Sequence, residues 1–363
     1  MTGGDTAREP KGRPEGSGGD TALHSAYDVA LLDLDGVVYI GGTPIPGAAD
    51  ALRKAAAQGM RLAYVTNNAY RTPAAVAELL TGFGVRASAG DVVTSAQAAA
   101  RLLAEKLPAG AKVLVIGGTG LRLAVRERGL RPVSSASERP QAVVQGYVPG
   151  VDYAALAEGG LAVASGALFV ATNADSTLPG PRGRQPGNGS LLQVIATATG
   201  VMPTVAGKPE PPLHRESVLR TGARNPLVVG DRLDTDIEAA HRVGADSLLV
   251  LTGVTHPADA VLAPPHQRPR YVAAGLSGLL EPYPQTEAVR SKEGNGFRCR
   301  AWSAYWDGNG HLTLRESGGA ERPSRAPLDG LRALCAAAWS RADVTAGMIA
   351  PALDRLQAAG LPT

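Results

Sequence analysis

Cysteine is nearly absent. Cys299 and Cys335 are the two in 363 residues, with no CxxC pair, so a disulfide scaffold, a zinc ribbon and an iron–sulfur site are excluded. Aromatic residues make up 4% of the chain with no basic stripe between them, which disfavours an RNA-binding surface. No run of about 20 apolar residues occurs, which argues against a membrane span. The N-terminal MTGGDTAREPKGRPEGSGGD carries both charge signs and no apolar run, unlike a signal peptide. The formal net charge is only +3, so a strongly basic nucleic-acid binder is not the first expectation. Lysine is scarce, at 6 of the 36 basic residues, so each lysine in a suggestive position stands out. The six histidines show no HExxH spacing. A cytoplasmic protein with no nucleic-acid partner and no membrane partner is expected.

What is present is enough apolar residue, 44%, to bury a large core, and at a working size of about 150 residues per domain the length suggests two or three domains. Residues 1–26 are rich in Gly, Pro and charge and read as a disordered tail. From Tyr27 the pattern becomes α/β: buried-type strands at 29–32, 61–65, 112–116, 142–147, 167–171, 227–229 and 247–251 alternate with helical stretches such as 47–58, 190–199 and 235–243. Thr72 followed by Pro73 marks one helix start. Strands alternating with helices predict a doubly wound parallel sheet. Residues 281–296 read as a polar linker. Beyond them lie all three tryptophans and both cysteines, in strand-like 297–306 and 311–314 and a helix from about 328, with a hairpin signal at Asp307-Gly-Asn-Gly. This is a separate small α+β domain.

Chemistry concentrates at strand ends. The first strand leads into Asp33-Leu34-Asp35-Gly36, two carboxylates where open α/β sheets bind ligands. Two such charges are costly there unless a cation or hydrogen bonds compensate, although solvated acids before a turn glycine would give the same letters. Gly230-Asp231-Arg232-Leu233-Asp234-Thr235-Asp236 follows a second buried strand and opens a helix. Asp236 could be a dipole-favoured acid, whereas Asp231 sits at the strand end itself. Asp33, Asp35 and Asp231 on neighbouring strand ends would make an all-oxygen site suited to Mg²⁺. At a third strand end, Thr66-Asn67-Asn68 offers donors for phosphate oxygens or, equally, an Asx-type turn. Lys208, in Gly207-Lys208-Pro209, is either a phosphate-neutralising lysine or a solvated loop residue.

Taken together and in this order, DxDG, TNN, GKP and GDxxxxD resemble the four motifs of the haloacid dehalogenase phosphatase superfamily over roughly residues 27–280. The GKPEP and GDRLDTDI forms, with the long insertion between TNN and GKP, are similar to the subfamily of nitrophenyl-, pyridoxal-, sugar- and glycerol-phosphate phosphatases, which carries a large α/β cap. The resemblance implies a core over 27–95 and 200–280, a cap that sets substrate specificity over 96–199, and a Mg²⁺-dependent reaction. Asp33 would be the nucleophile forming a phosphoaspartate and Asp35 the general acid and base. Asp231 would complete the metal site with Asp33 and Asp35, supported by Asp236. Thr66, Asn67, Asn68 and Lys208 would hold the phosphoryl group. In the insertion, the TN-x-D and PG-x-G segments imply cap contacts to substrate from Asn173 and Asp175, residues that would equally suit a turn.

A third unit over 285–363 is a departure from that subfamily. The architecture resembles two-domain glycerol 3-phosphate phosphatases that join such a hydrolase to a short acetyltransferase-like module. Arg315-Glu316-Ser317-Gly318-Gly319-Ala320 matches the acetyl-CoA pattern RxxGxA, but Pro323 and Pro327 delay the helix such a loop must enter, so a packing or dimerisation module is expected. The segment 172–190, TNADSTLPGPRGRQPGNGS, has no aromatic residue or histidine to stack on a ring. Its groups suit a small polyol, so glycerol 3-phosphate is the expected substrate. The alternatives are sugar or nitrophenyl phosphates, phosphoglycolate, or a bifunctional protein whose C-terminal module binds a regulatory ligand or partner. The partner is then a small phosphorylated metabolite, with a homodimer through the cap or the C-terminal module.

Overall fold

Apolar runs that end in acidic or amide residues become the central strands of two parallel sheets. The structure, a computed structural model, describes residues 21–180, 182–291, 294–317 and 327–361. The first stretch runs α1 (Leu23–Ala26), β1 (Val29–Leu32), β2 (Tyr39–Ile40), β3 (Thr43–Pro44), α2 (Ala48–Ala57), β4 (Arg61–Thr66), α3 (Pro73–Gly82), β5 (Val92–Thr94) and α4 (Ser95–Ala104). The insert contributes β6 (Lys112–Ile116), α5 (Thr119–Glu127), β7 (Arg131–Val133), β8 (Ala142–Gln145), α6 (Tyr153–Ala164), β9 (Leu168–Ala171), the hairpin β10 (Thr177–Gly180) and β11 (Gly183–Pro186), α7 (Asn188–Thr199) and β12 (Thr204–Val205). The chain then returns through α8 (Pro211–Thr221), β13 (Pro226–Gly230), α9 (Glu238–Val243), β14 (Asp246–Val250), α10 (Pro257–Val261) and β15 (Tyr271–Ala273). Last come β16 (Thr286–Ser291), β17 (Gly294–Cys299), β18 (Trp302–Trp306), β19 (Leu312–Glu316), α11 (Pro327–Trp339) and α12 (Ala346–Ala358).

The core sheet has the order β15-β14-β13-β1-β4-β5 and every pair in it is parallel. It places β1 at the centre, with Leu31 beside Val228 on one side and Ala63 on the other. The cap sheet, β12-β9-β8-β6-β7, is also parallel, and β16–β19 form a four-stranded antiparallel sheet. The doubly wound expectation holds. Among the described residues, no helix is long and apolar enough to cross a membrane.

Local details differ from the sequence reading. Leu23 is buried in the core cluster, so the described end of the expected tail is docked, with Ala22 bridged to Pro282 and 23–26 forming α1; residues 1–20 lie outside the described residues. The polar linker expected over 281–296 contains strand β16, paired in register with β17. The single strand expected over 297–306 is two strands joined at Arg300-Ala301, with Arg300 at φ +50°. The acetyl-CoA-like pattern falls partly at 318–320, outside the described residues.

Core and cap share one hydrophobic cluster. Val29, Leu31, Val65 and Val228 of the core sheet connect through Leu103 of α4 and Leu213 of α8 to Val113, Val115 and Val144 of the cap sheet. At the same seam Glu216 of α8, fully buried, meets three arginines: Arg101 of α4, Arg220 at 2.6 Å and Arg128, beyond the end of α5, at 2.7 Å. Burial pushes the Glu216 carboxyl up, but the bonds from Arg101 and Arg220 and the surrounding charges outweigh it and hold the group below the ordinary glutamate range.

A depressed carboxyl contributes stability that is present above the unfolded value of about 4.3 and is lost as pH falls through the folded one. Glu216→Ala leaves three guanidinium groups around an empty site and should cost about 3–5 kcal/mol at pH 7. Glu216→Gln should lose less at pH 7 and show a shallower decline toward pH 4 than wild type. Urea unfolding at the two pH values measures both; equal acid slopes for Glu216→Gln and wild type would refute the assignment.

Candidate active site

Three strands of the core sheet end within reach of one another. Asp33 follows β1, its N–H bonded to Val229 O at 2.8 Å; Asp231 follows the neighbouring β13; Thr66 ends β4 on the other side of β1. Asp236 does not open an ordinary α-helix. Leu233–Ile237 is a π-helical turn, and the extra width swings the Asp236 side chain back over the site. There Asp236 Oδ2 accepts the Arg232 N–H at 3.2 Å.

Lys208 enters from the opposite side. Its ammonium, 4% exposed, donates to Asp33 Oδ1, to Asp236 Oδ1 at 2.7 Å and to Val65 O at 3.3 Å. All three donors of the ammonium are used, so the solvated-loop alternative does not apply. Burial works against its charge, but Asp236 and Asp33 more than compensate and hold the proton firmly.

The carboxylates of Asp33, Asp231 and Asp236 each place an oxygen within 4.8 Å of the others. Burial, only partly offset by Lys208, pushes Asp33 up to about 8, and burial with the Asp236 charge pushes Asp231 up to about 6. Three carboxylates around one ammonium leave the site short of positive charge. Asp231 is fully buried; its Oδ2 accepts the Val254 N–H at 2.7 Å, while its Oδ1 has no hydrogen-bond partner. Gly36, at φ +87°, and Gly253 lie so close to this carboxylate that a Cβ on either would overlap it. An orphaned carboxylate oxygen in a glycine cradle, beside two more carboxylates, fits a hard divalent cation such as Mg²⁺. Asp236 spends both oxygens, on Lys208 and on the Arg232 N–H, which suits a supporting position.

Asp35 lies outside this convergent group and is exposed. Partial burial raises its carboxyl, against hydrogen bonds from the backbone N–H groups of Gly41 and Gly36. Thr66 is buried and its hydroxyl oxygen accepts the Asn68 N–H at 3.1 Å. Of the two alternatives for the amides beside it, Asn68 takes the turn. Asn68 Oδ1 accepts the N–H groups of Tyr70 and Arg71, an Asx-type turn. Asn67 Nδ2 donates to both Asp175 oxygens at 3.3 Å and to Lys208 O at 3.2 Å, and its Oδ1 accepts the Lys208 N–H at 2.8 Å.

Asn67 therefore joins the cap to the lysine turn. Its carbonyl also accepts from the buried Asn173 Nδ2 at 2.8 Å, and Asn173 O in turn accepts from Asn188 Nδ2 at 2.7 Å. Asp175 stays half-buried at the mouth; burial raises its carboxyl, opposed by Asn67, Arg232 and Lys208. One segment escaped the sequence reading altogether. Residues 252–255, after β14, give Val254 N–H to the Asp231 carboxylate, Thr255 N–H to Asp231 O at 3.2 Å and the Thr252 hydroxyl to Gly36 O at 2.6 Å. A glycine just past a fourth buried strand, Thr252-Gly253-Val254-Thr255, was the available signal.

Comparison with known proteins matches the same segments. A haloacid dehalogenase-like hydrolase model covers residues 30–131, a HAD-hydrolase-like model covers 205–279, and a GCN5-related N-acetyltransferase like domain covers 299–361. The chain is 49% identical over 258 residues to a D-glycerol 3-phosphate phosphatase of Mycobacterium tuberculosis, spanning 71% of this chain and 72% of that one. It is 40% identical to a 5′-nucleotidase of Bacillus subtilis, spanning 66% and 94%. The crystal structure of the M. tuberculosis glycerol phosphate phosphatase in complex with magnesium superposes with a TM-score of 0.80 at 41% identity, covering 94% of this chain and all of that one (100%). A p-nitrophenyl phosphatase from Archaeoglobus fulgidus superposes with a TM-score of 0.65 at 29% identity, covering 70% and 98%.

The cradle predicts a metal effect that is visible without turnover. Mg²⁺ at 100 times its dissociation constant should stabilise the wild type by about 2.7 kcal/mol. Asp231→Asn, which keeps the Val254 bond acceptor but removes the charge, should lose most of that gain while unfolding normally in EDTA. Thermal unfolding with and without Mg²⁺ decides it; an undiminished gain in the variant would exclude Asp231 from the metal site.

Proposed function

Given that the chain belongs to the haloacid dehalogenase-like hydrolases, we propose that it hydrolyses small phosphomonoesters in a Mg²⁺-dependent reaction through a phosphoaspartate, with glycerol 3-phosphate as substrate. The observation that carries the chemistry is the Lys208 ammonium bonded to Asp33 Oδ1, which leaves the other Asp33 oxygen free to attack. That oxygen forms a bond to phosphorus as the ester P–O bond breaks, and Asp35, exposed at the mouth, gives its proton to the departing alkoxide. Asp35 then takes a proton from water, whose oxygen attacks phosphorus and releases phosphate and the Asp33 carboxylate. Bound at Asp33 and Asp231, Mg²⁺ supplies charge neutralisation for the transferring phosphoryl group. Lys208 adds to that neutralisation, and Thr66 offers its hydroxyl proton. Asn67 and Asp236 act by fixing Lys208 from both ends. The geometry gives Asn68 a turn-forming part and leaves Asp35 no side-chain place among the converging carboxylates.

For the substrate, the two-domain match and the cap mouth point the same way. The superposed glycerol phosphate phosphatase is covered over its whole length, C-terminal domain included. The hairpin β10–β11 brings no aromatic platform, while Asp175 and the exposed Arg182 and Arg184 supply polar groups suited to hydroxyls. Asn173 is withdrawn from that role because its amide is bonded to Asn67. Of the two faces weighed for a homodimer, the cap fits better: Tyr153, Leu161, Val194 and Met202 are exposed on it. Light scattering on the purified chain reads the mass directly.

Asp33→Asn should abolish turnover with the fold intact, because an amide neither attacks phosphorus nor balances Lys208; a variant that still turns over would remove Asp33 as nucleophile. Asp35→Asn should lose on the order of 10²–10⁴-fold on alkyl phosphates but much less on nitrophenyl phosphate, whose leaving group needs no proton. Equal losses on both esters would remove Asp35 as the acid. The substrate is tested by kcat/KM for glycerol 3-phosphate, 2-phosphoglycolate, a hexose phosphate, a nucleoside monophosphate and pyridoxal 5′-phosphate in one buffer. Glycerol 3-phosphate should lead, and a tenfold advantage for any other ester would overturn it without touching the mechanism.

A further inference from the structure

The C-terminal module is packed onto the side of the core sheet that carries Asp231 and Asp236. Ile237 of the π-helical turn, Leu249 of β14, Ala260 and Val261 of α10 and Val272 of β15 share one buried cluster with Trp302, Leu331, Leu334, Ile349 and Leu356 of the module. Apolar contact alone would only glue two domains together. The polar contacts at this seam are more specific: Arg332 of α11 donates to Val272 O of β15 at 3.1 and 2.8 Å, and a second set falls on the short stretch that leads back to Asp231.

Trp339, at the end of α11, donates its indole N–H to Ala260 O at 3.2 Å. Arg268 closes the other side of the same stretch: it donates to Ala263 O at 3.0 Å and to Trp339 O at 3.1 Å, with its guanidinium 5.8 Å from the Trp339 ring centroid. The clamped residues 260–263 follow directly from the segment 252–255, whose Val254 N–H holds Asp231 Oδ2 and whose Thr252 hydroxyl holds Gly36 O. Between them lie only residues 256–259, and the clamped stretch begins inside the five-residue helix α10 itself. Asp231 faces its cradle with one oxygen held by a single backbone donor and the other unpartnered, so its aim depends on where Val254 stands.

We propose that Trp339 of the C-terminal module is a positioning residue for the metal site, fixing α10 through Ala260 so that Val254 presents its N–H to Asp231. The inference rests on the reading of Asp231 as a metal ligand. It makes the module a working part of the phosphatase rather than an appendage, with no ligand of its own needed. Trp306 supplies the internal comparison. Its indole N–H bonds Ala337 O within the module at 3.2 Å, so its loss loosens the module without touching α10 directly.

The test uses full-length Trp339→Phe and Trp306→Phe. Phenylalanine keeps an aromatic ring in each place, removes the N–H and trims the same part of the indole in both variants, so the Trp306 variant controls for the lost ring volume. Mg²⁺ binding to EDTA-stripped protein is followed by calorimetry, and Val254 amide exchange is followed in the metal-free protein. Trp339→Phe should weaken Mg²⁺ binding about three- to tenfold, the worth of one hydrogen bond, and speed Val254 exchange by a similar factor. At saturating Mg²⁺ its turnover should return to within about twofold of wild type, and Trp306→Phe should match wild type throughout. Arg268→Met, which removes the second arm of the clamp, should shift both readouts in the same direction as Trp339→Phe. Wild-type values for Trp339→Phe, or equal shifts in Trp306→Phe, would overturn the proposal. A wild type that binds no Mg²⁺ while Trp339→Phe still speeds Val254 exchange would overturn the metal reading and support the mechanical link.

Discussion

One buried ammonium sets the terms for everything around it. Lys208 is almost wholly out of water, and a bare charge there would be driven to shed its proton. Asp33 and Asp236 prevent that, and in doing so they acquire fixed positions: each has an oxygen pinned to the same nitrogen. Asp33, the proposed nucleophile, is thereby aimed by the same charge that is proposed to neutralise the phosphoryl group. The π-helical turn and the Asn67 amide follow from the same requirement, because one brings Asp236 to the ammonium and the other holds the backbone of Lys208. The excess of negative charge that remains is the electrostatic case for a divalent cation.

The cap is joined to this arrangement more tightly than a swinging lid would be. Its sheet shares an apolar cluster with the core, Arg128 reaches across to the buried Glu216, and Asn67 is bonded to both Asn173 and Asp175. A rigid-body opening would have to expose apolar surface and strip a buried carboxylate of one of its partners. Among the described residues, the hairpin β10–β11, with Arg182 and Arg184 exposed, shows no comparable tie to the core.

Much of this was legible in the sequence, for identifiable reasons. Asp33, Asp231 and Lys208 stood out because each follows a buried-type strand or a tight turn in a chain where such charges are conspicuous. The parallel sheets were legible because strands and helices alternate with clear apolar runs. The amides were not, since an asparagine at a strand end can serve a ligand, a turn or a neighbouring segment with the same letter; Asn68 forms the turn and Asn67 the inter-segment tie. Asp35 was placed with the metal by its proximity in sequence to Asp33, yet the chain turns directly after β1, with the Val38 N–H on Leu34 O and Gly36 at φ +87°, and leaves the Asp35 carboxylate exposed outside the converging group. The strand β16 was hidden because a polar, partly charged segment pairs by backbone hydrogen bonds that leave no side-chain signature. The Val254 contact was hidden for the same reason, 23 residues from its partner.

The C-terminal module completes the packing beside the turn that carries Asp236. Ile237, Leu249 and Val272 belong to the phosphatase, but their burial is completed by residues of the module. Without it, these side chains would face water directly beside the turn that carries Asp236, and the turn would be free to relax toward an ordinary helix. A π-helical turn is rare and occurs as a single-turn bulge, so its surroundings must favour it. Lys208 draws Asp236 inward from one side, and the module's apolar cluster holds Ile237, the next residue, from the other. Adjacent residues gripped in opposite directions, one by charge and one by packing, keep the extra residue of the turn in place.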